Sequence, residues 1–448
     1  MITHQALDAV IVGLGESGFA CFQHLREQGL AVGVVDTREQ PPRAPDLNAQ
    51  YPDACYAFGG MDVDWLMDAQ ALVLSPGIDP RDPLVQRFAE QGGQITGEIE
   101  LFARAVSAPV IAITGSNGKS TVTEMLAAMA AKAGIYAAAG GNLGPPALDL
   151  LRDHPQAECY ILELSSFQLE TTCTLKPRVA AVLNLSPDHL DRYTDMRAYA
   201  NAKARILKGA RHAVLNVDDA AVRSMAKTDT VVSWFSDQAT GRPAGWRVQD
   251  EHDESWLCHG ERRLMAASEL CVLGRHNAAN ALAALAIGHA AGWDESAMIE
   301  ALRGFTALAH RTESLGIHGG RLWVNDSKAT NVASALAALQ GMTETVVLLA
   351  GGQGKDQDFS ALGPALADKG RAAVLFGVDA PLLADALASW VPVHIVADLK
   401  AAMVKAMAVS QPGDAVVLAP ACASLDQFRD YRERGDCFCS LIMEVAND

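Results

Sequence analysis

Short apolar runs alternate with stretches of helical spacing along almost the whole chain. Runs rich in Val, Ile, Leu and Ala fit strands buried on both faces of a parallel sheet, and the stretches between them fit crossover helices. The pattern occurs in three blocks. The first has apolar runs at 9–12, 31–35 and 71–74 and fades over 97–108. The second opens at 110–113, continues at 160–162 and 179–183, and closes with an Ala-rich helical stretch over 277–292 and another helix ending near 303. Inside it, 228–270 is rich in Trp, Ser, Asp and Arg without helical period and reads as a β excursion. The third block has runs at 322–324, 346–349, 373–375, 394–396 and 416–418. The expected fold class is α/β, in three domains covering 1–102, 103–305 and 306–448.

Composition supports that division and narrows the function. A chain of 448 residues, half apolar and one fifth charged, is globular and too long for a single core. With 36 Lys and Arg against 53 Asp and Glu, the net charge of −17 excludes proteins that wrap nucleic acid or lie on anionic lipid. Residues 1–102 are the most acidic part, with 5 basic and 15 acidic side chains and no lysine. No apolar run has the ~18 residues a membrane span needs, and the first ten residues lack a cationic leader. Nine scattered cysteines, an odd number, read as reduced thiols of a cytoplasmic protein, and Cys437-x-Cys439 has no second pair to complete a metal site.

Chemistry gathers at strand ends. Gly13-Leu-Gly15-Glu16-Ser17-Gly18 follows the first apolar run and Asp36 ends the second, the spacing of a dinucleotide fingerprint. Three readings stay open there: a nucleotide-type ligand, a true NAD site, or glycines that serve strand–helix packing. Thr37-Arg38 and Ser75-Pro76-Gly77 end adjacent runs, where open α/β sheets bind ligands. The most specific motif is Thr114-Gly115-Ser116-Asn117-Gly118-Lys119-Ser120-Thr121, between a strand and a helix. Its backbone amides and Lys119 suit the β- and γ-phosphates of ATP, and the Ser120 hydroxyl suits Mg²⁺. It departs from the standard phosphate loop, which has a glycine where Ile113 stands. Glu163 and Asp188-His189-Leu190-Asp191 close two further runs, and a carboxylate and an imidazole beside a triphosphate are what metal sites use. Lys203, by spacing alone, is a solvated helical lysine. Asn277 and Asn280 share one helix face, and His310-Arg311, Asn325–Asn331, Gly351–Lys355 and Ala423-Ser424 with Tyr431 are polar strand-end loops.

Taken together and in order, Thr114-Gly-x-Asn-Gly-Lys-Ser-Thr121, Glu163 with Ser165-Ser-Phe-Gln168, Asp188-His189-x-Asp191, Asn277-x-x-Asn280, His310-Arg311 and Asn325-Asp-Ser-Lys-Ala-Thr330 resemble the Mur ligase family across essentially the whole chain. Asp36-Thr-Arg38, the run 163–168 and Pro420–Asp426 narrow the resemblance to members that add D-glutamate. The resemblance implies a Rossmann-like N-terminal domain, a central P-loop ATPase-type domain with extra β structure, and a Rossmann-like C-terminal domain. It implies an ATP-dependent ligase, monomeric and cytoplasmic, joining D-glutamate to UDP-N-acetylmuramoyl-L-alanine in peptidoglycan precursor synthesis, with Mg²⁺ at two sites. Its catalytic residues would be Lys119, Glu163, His189 and Lys203, with Ser120, Glu163, His189 and a carbamylated Lys203 serving the metal ions. ATP would lie on 115–121 together with Asn277, Asn280, Arg311 and Asp326. The UDP-sugar would meet Gly15, Glu16, Ser17, Gly18, Asp36, Thr37, Arg38, Ser75, Pro76, Gly77, Asn142 and His189. D-Glutamate would meet Lys328, Thr330, Lys355, Ser424 and Tyr431. Two positions depart from the family pattern: Glu16-Ser17 places an acid in the loop facing uracil and phosphate, and Tyr431 stands where Phe is frequent. A sibling ligase for another amino acid, a folylpolyglutamate synthetase, an NAD-dependent dehydrogenase and a non-catalytic nucleotide-binding regulator are the alternatives.

Overall fold

The computed structural model describes residues 7–446 apart from 62–63, 227, 229, 238–244, 253, 273, 307–308 and 356. It contains three sheets. The first has five parallel strands in the spatial order Cys55–Phe58, Val32–Asp36, Ala9–Val12, Ala71–Leu74, Gln94–Gly97. The chain leaves Ala9–Val12 on both sides, so the loops after it and after Ala71–Leu74 face each other at a switch point. Every residue of Ala9–Val12 and Val32–Asp36 is buried, as their unbroken apolar sequence requires.

The central sheet has nine strands, ordered Arg262–Ala266, Glu254–His259, Trp246–Glu251, Val231–Ser236, His212–Asn216, Val179–Val182, Val110–Thr114, Cys159–Glu163, Ala137–Gly141. Seven neighbouring strands pair in parallel, and the β excursion extends the same sheet with two antiparallel pairings, so that only Glu254–His259 runs against the rest. Val110–Thr114 is flanked by Cys159–Glu163 and Val179–Val182, with Ile113 paired to Glu163 and Thr114 to Val182. Three strand ends therefore meet at one point. The third sheet has six strands, Glu313–His318, Arg321–Asn325, Ala415–Leu418, Val346–Gly351, Gly370–Phe376 and Val393–Ile395, antiparallel only at the first. Here too the loops after 325, 351 and 418 come together.

One apolar core runs without interruption from the first sheet (Ile11, Phe22, Phe102) into the central one (Val110, Leu162, Leu215), with the helix Glu98–Ala105 at the join. A second core lies on the other central face, under the helices Lys119–Lys132 and Arg275–Ala291. The C-terminal sheet packs on two clusters of its own. No helix among the described residues is long and apolar enough to cross a membrane.

Candidate active site

The loop 114–121 joins a fully buried strand to the helix Lys119–Lys132. Gly118 has φ +80°, and a Cβ there would lie 2.3 Å from Asn280 Oδ1, so only glycine lets the loop pass beneath the Ala-rich helix. The loop is pinned from the other side: Asn117 N–H donates to Asn184 Oδ1 (2.8 Å), Asn184 Nδ2 donates to the Asn117 carbonyl (3.1 Å), and Ser116 N–H donates to the Asn184 carbonyl (2.9 Å). What remains open is a helix N-terminus with unpaired amides and its partial positive charge, an anion site. Lys119 Nζ lies across it, donating to the carbonyls of Gly115 (2.9 Å) and Ser116 (3.0 Å). Burial of the ammonium lowers its pKa, against the opposing pull of Glu163 and Asp188.

Glu163 ends the neighbouring strand, 2% exposed. Ser120 Oγ donates to its Oε2 (2.5 Å) and Asn142 Nδ2 to its Oε1 (2.8 Å). Burial alone would raise this carboxyl, but Lys119 and the two hydrogen bonds bring it below the ordinary value, so it is ionised. A hydroxyl and an ionised carboxylate touching at the phosphate loop are the oxygen donors Mg²⁺ takes, and this pair fits the ion. Lys203, from the helix Met196–Ala204, is not solvated: it is 2% exposed and its Nζ donates to the Gly115 carbonyl (2.8 Å) and toward Thr114 Oγ1 (3.4 Å). It has no salt bridge among the described residues, and burial followed by Lys119 drives its pKa well below that of a free lysine. His189 has φ +56° and packs edge-on to Phe167 at 4.8 Å, with Nε2 3.7 Å from Asp188. Burial lowers its pKa against the pull of Asp188.

The C-terminal domain closes the site. Arg311 Nη2 donates to Ser120 Oγ (2.6 Å) across 191 residues of sequence. Asn117 Oδ1 accepts from Ser334 Oγ (2.6 Å) and Asn331 Nδ2 (3.3 Å), and Asn331 also donates to Asp188 (3.3 Å). Asp326 is buried, which raises its pKa to about 6 although Arg311 and Thr312 oppose the shift. Lys328 Nζ stands 4.1 Å over the Tyr431 ring, and burial of the amine, then Arg311 and Lys119, lower its pKa to about 7.

A cavity of about 610 Å³ lies between these groups. It brings together the phosphate loop from Ser116 to Thr121, Asn277, Asn280, Arg311, Asp326, Asn142, Glu163, His189, Lys203, Lys328, Thr330 and Lys355. Gly115 lies behind it, its carbonyl held by both lysines. Ser424 and Tyr431 do not line it: Ser424 is buried under the turn to Phe428, and Tyr431 reaches the cavity only through its contact with Lys328. Asn184, Asn331 and Ser334 line it and were not among the expected residues. Asn331 sits one residue beyond the quoted motif, and the other two are polar side chains whose partners lie 67 to 217 positions away.

The N-terminal residues form a separate surface. Gly13 has φ +94°, and a Cβ on Gly18 would lie 2.0 Å from the Gly13 carbonyl, so these two glycines serve close packing, while Gly15 and Gly77 face open space. Ser75 Oγ donates to the Gly13 carbonyl (2.6 Å) and closes the switch point. Both oxygens of Asp36 are occupied: Oδ2 accepts from Leu14 N–H (2.7 Å) and Arg38 Nη2 (2.6 Å), Oδ1 from Arg38 N–H (2.8 Å) and Nε (2.9 Å). An NAD ribose would need that carboxylate free, so the dinucleotide reading fails on geometry. Thr37 and Arg38 are exposed beside it, Ser17 is half-buried, and the unexpected acid Glu16 is paired with Arg43 (2.8 Å). Arg192 ties this surface to the central domain, donating to the carbonyls of Pro76 (3.2 Å) and Ile78 (3.0 Å) while paired with Glu170 (2.7 Å).

Comparison with known proteins agrees with this arrangement in all three sheets. Residues 7–97 match the model of the Mur ligase MurD-like N-terminal domain, 113–288 that of the Mur ligase middle domain, and 310–422 that of the Mur ligase glutamate ligase domain. The chain is 46% identical to a UDP-N-acetylmuramoylalanine–D-glutamate ligase of Nitrosococcus oceani, covering 99% of this chain and 98% of the relative. It is also 46% identical to the enzyme of that name from Pseudomonas aeruginosa, covering 98% of each. Among solved structures, UDP-N-acetylmuramate-alanine ligase from Thermotoga maritima superposes with a TM-score of 0.62 at 18% identity over 98% of this chain and 99% of that one. A bifunctional folylpolyglutamate synthase/dihydrofolate synthase from Yersinia pestis gives 0.59 at 17% identity, over 77% and 93%. The last two show the fold alone.

Proposed function

The chain belongs to the Mur ligase family, and from that membership and the chemistry of the cavity we propose that it joins D-glutamate to UDP-N-acetylmuramoyl-L-alanine, using ATP with Mg²⁺ and releasing ADP and phosphate, in peptidoglycan precursor synthesis. The observation that carries the reading is the convergence of a lysine phosphate loop, a buried hydroxyl–carboxylate pair and two lysines of the glutamate-ligase domain on one cavity. In this reading 1–102 holds the UDP-sugar, 103–305 the ATP and 306–448 the amino acid.

A carboxylate is a poor electrophile, so the L-alanyl carboxylate first attacks the γ-phosphorus of ATP, giving an acyl phosphate and ADP. The amine of D-glutamate then adds to the acyl carbon, and the tetrahedral intermediate loses inorganic phosphate and a proton to leave the amide. The protein aligns the reactants and neutralises charge. The amides of the phosphate loop and Lys119 hold the phosphates, with Asn277, Asn280, Arg311 and Asp326 along the nucleotide. Ser120 and Glu163 would hold one Mg²⁺, and His189 with a carbamylated Lys203 would hold a second; bound there, the ions would supply charge compensation at the transferring phosphoryl group. Asn142 and His189 face the muramoyl portion, while Gly15, Glu16, Ser17, Gly18, Thr37, Arg38, Pro76 and Gly77 border the uridine diphosphate, with Asp36 and Ser75 shaping those loops. Lys328, Thr330 and Lys355 hold the glutamate, supported from behind by Ser424 and Tyr431.

Phosphate release measured with ATP and UDP-N-acetylmuramoyl-L-alanine across a panel of D- and L-amino acids tests the reading. D-Glutamate alone should drive release; another amino acid, or a folate substrate, doing so in its place would reassign the enzyme to a sibling. A pH dependence follows from Lys328. With its pKa lowered to about 7, the amine of the empty enzyme is neutral above that value, and gripping a carboxylate then requires proton uptake. The dissociation constant of D-glutamate should therefore rise with pH above about 7, by up to about tenfold per unit, measured as binding so that the substrate ammonium's own proton loss does not enter. Lys328→Arg, whose guanidinium stays charged, should flatten that limb; an unchanged slope in the variant would assign it elsewhere.

A further inference from the structure

Away from the cavity, on the face where the β extension meets the central helices, three side chains converge: His259, His289 and Glu295. We propose that they form a binding site for a divalent transition ion of the zinc class, which fastens the β extension to the far end of the helix that lines the nucleotide site. His259 ends the strand Glu254–His259, His289 lies in the last turn of the helix Arg275–Ala291, and Glu295 opens the helix Glu295–Arg303. The αL turn at Gly292, φ +82°, reverses the chain between the last two and brings Glu295 back beside His289. One ligand atom from each of the three lies within 4.8 Å of the others. Ligands of a tetrahedral zinc ion, at about 2.0–2.1 Å from the metal, stand about 3.4 Å apart, so small side-chain rotations close the set.

The rings are held for this geometry. His259 stacks flat on Trp246 (4.0 Å between centroids, 5° between planes), and His289 meets both rings edge-on, at 5.3 Å from Trp246 and 5.0 Å from His259. Trp246 is itself 2% exposed and forms a fixed wall. Neither imidazole has a hydrogen-bond partner for its side-chain nitrogens among the described residues, so both rings offer lone pairs that nothing in the protein engages. Glu295 Oε2 accepts from Arg262 (2.7 Å), which orients the carboxylate as second-layer partners of metal ligands do. The site also lies at a helix C-terminus, where the partial negative charge favours a cation. Two imidazoles and one carboxylate select zinc-class ions over Mg²⁺, which prefers oxygen alone, and leave a fourth position for water. His289 is twelve residues from Asn277, about 18 Å at 1.5 Å per residue, so the ion would anchor one end of the helix whose other end faces ATP.

The test is a titration of the chelator-stripped full-length protein with Co²⁺ and with Zn²⁺, in excess Mg²⁺ to fill oxygen sites, on the wild type, His289→Ala and the conservative Glu295→Gln, with circular dichroism to establish folding. One tight equivalent is expected in the wild type, showing ligand-field absorption by Co²⁺ without an intense thiolate charge-transfer band. Its affinity should fall by about tenfold or more in each variant, since even outer partners of a metal site are worth that much. Absence of a tight equivalent in the wild type, equal affinity in folded variants, or a thiolate band for that equivalent would each overturn the proposal.

Discussion

Lys119→Ala should lower the rate of phosphate release by about three orders of magnitude or more at saturating substrates, the scale seen when one electrostatic partner of a developing charge is removed. The structure explains why no neighbour can substitute. Lys203, a buried lysine of the helix Met196–Ala204, donates to the Gly115 carbonyl from behind the loop, and Arg311 is engaged with Ser120. Lys119 itself is bonded to two loop carbonyls, so its removal also loosens the loop. Lys119→Met also loses those bonds but keeps the apolar stem, so its melting temperature should exceed that of Lys119→Ala while turnover is lost in both. Turnover near the wild-type rate in either variant would remove Lys119 from the mechanism.

Lys203→Ala is expected to be comparably damaging, by about two to three orders of magnitude. Burial, and then Lys119, shift the Lys203 amine toward its neutral form, the nucleophilic state that adds CO₂ to give a carbamate. The substitution would leave a space behind Gly115 and Thr114 that a short carboxylate can enter, placing an anion where the proposed carbamate would stand. Formate, acetate or propionate should therefore return part of the lost rate, and chloride at equal ionic strength should not. A folded variant that no carboxylate rescues would argue that Lys203 acts as a cation holding the Gly115 carbonyl.

Lys203 also shows where the chain's sequence stops being informative. Its spacing makes it one more helical lysine, and only the packing of Met196–Ala204 against the phosphate loop makes it a buried amine. The phosphate loop, Glu163 and His189 are legible because each ends an apolar run, and in a parallel sheet run ends collect on one edge. Ala137–Gly141, made of alanine and glycine, carries little apolar signal, and Cys55–Phe58, apolar in sequence but only partly buried, is short; both emerge only in the fold. Asp36 misleads in a different way. Its position is that of a ribose-binding acid, but its oxygens close the loop at Leu14 and hold Arg38, partnerships that spacing cannot express. Arg434 is hidden for the opposite reason. In Tyr431-Arg-Glu-Arg434 it reads as a solvated helix face, yet it is fully buried and donates to Ser327 and to the carbonyls of Gly351 and Cys422, joining the three C-terminal loops from beneath.

The cores divide the molecule unevenly. Swinging the first sheet away from the central one would expose Phe102, Val110 and their neighbours to water, at a cost that scales with apolar area. The C-terminal sheet has apolar clusters of its own, and the bonds described across its seam, at Ser120, Asn117 and Asp188, are polar. Water replaces such bonds at a net cost of about 0.5–1.5 kcal/mol each. Opening at that seam would exchange these four hydrogen bonds among the described residues for bonds to water and leave both cores intact, a cost small enough for the site to admit a nucleotide by thermal motion.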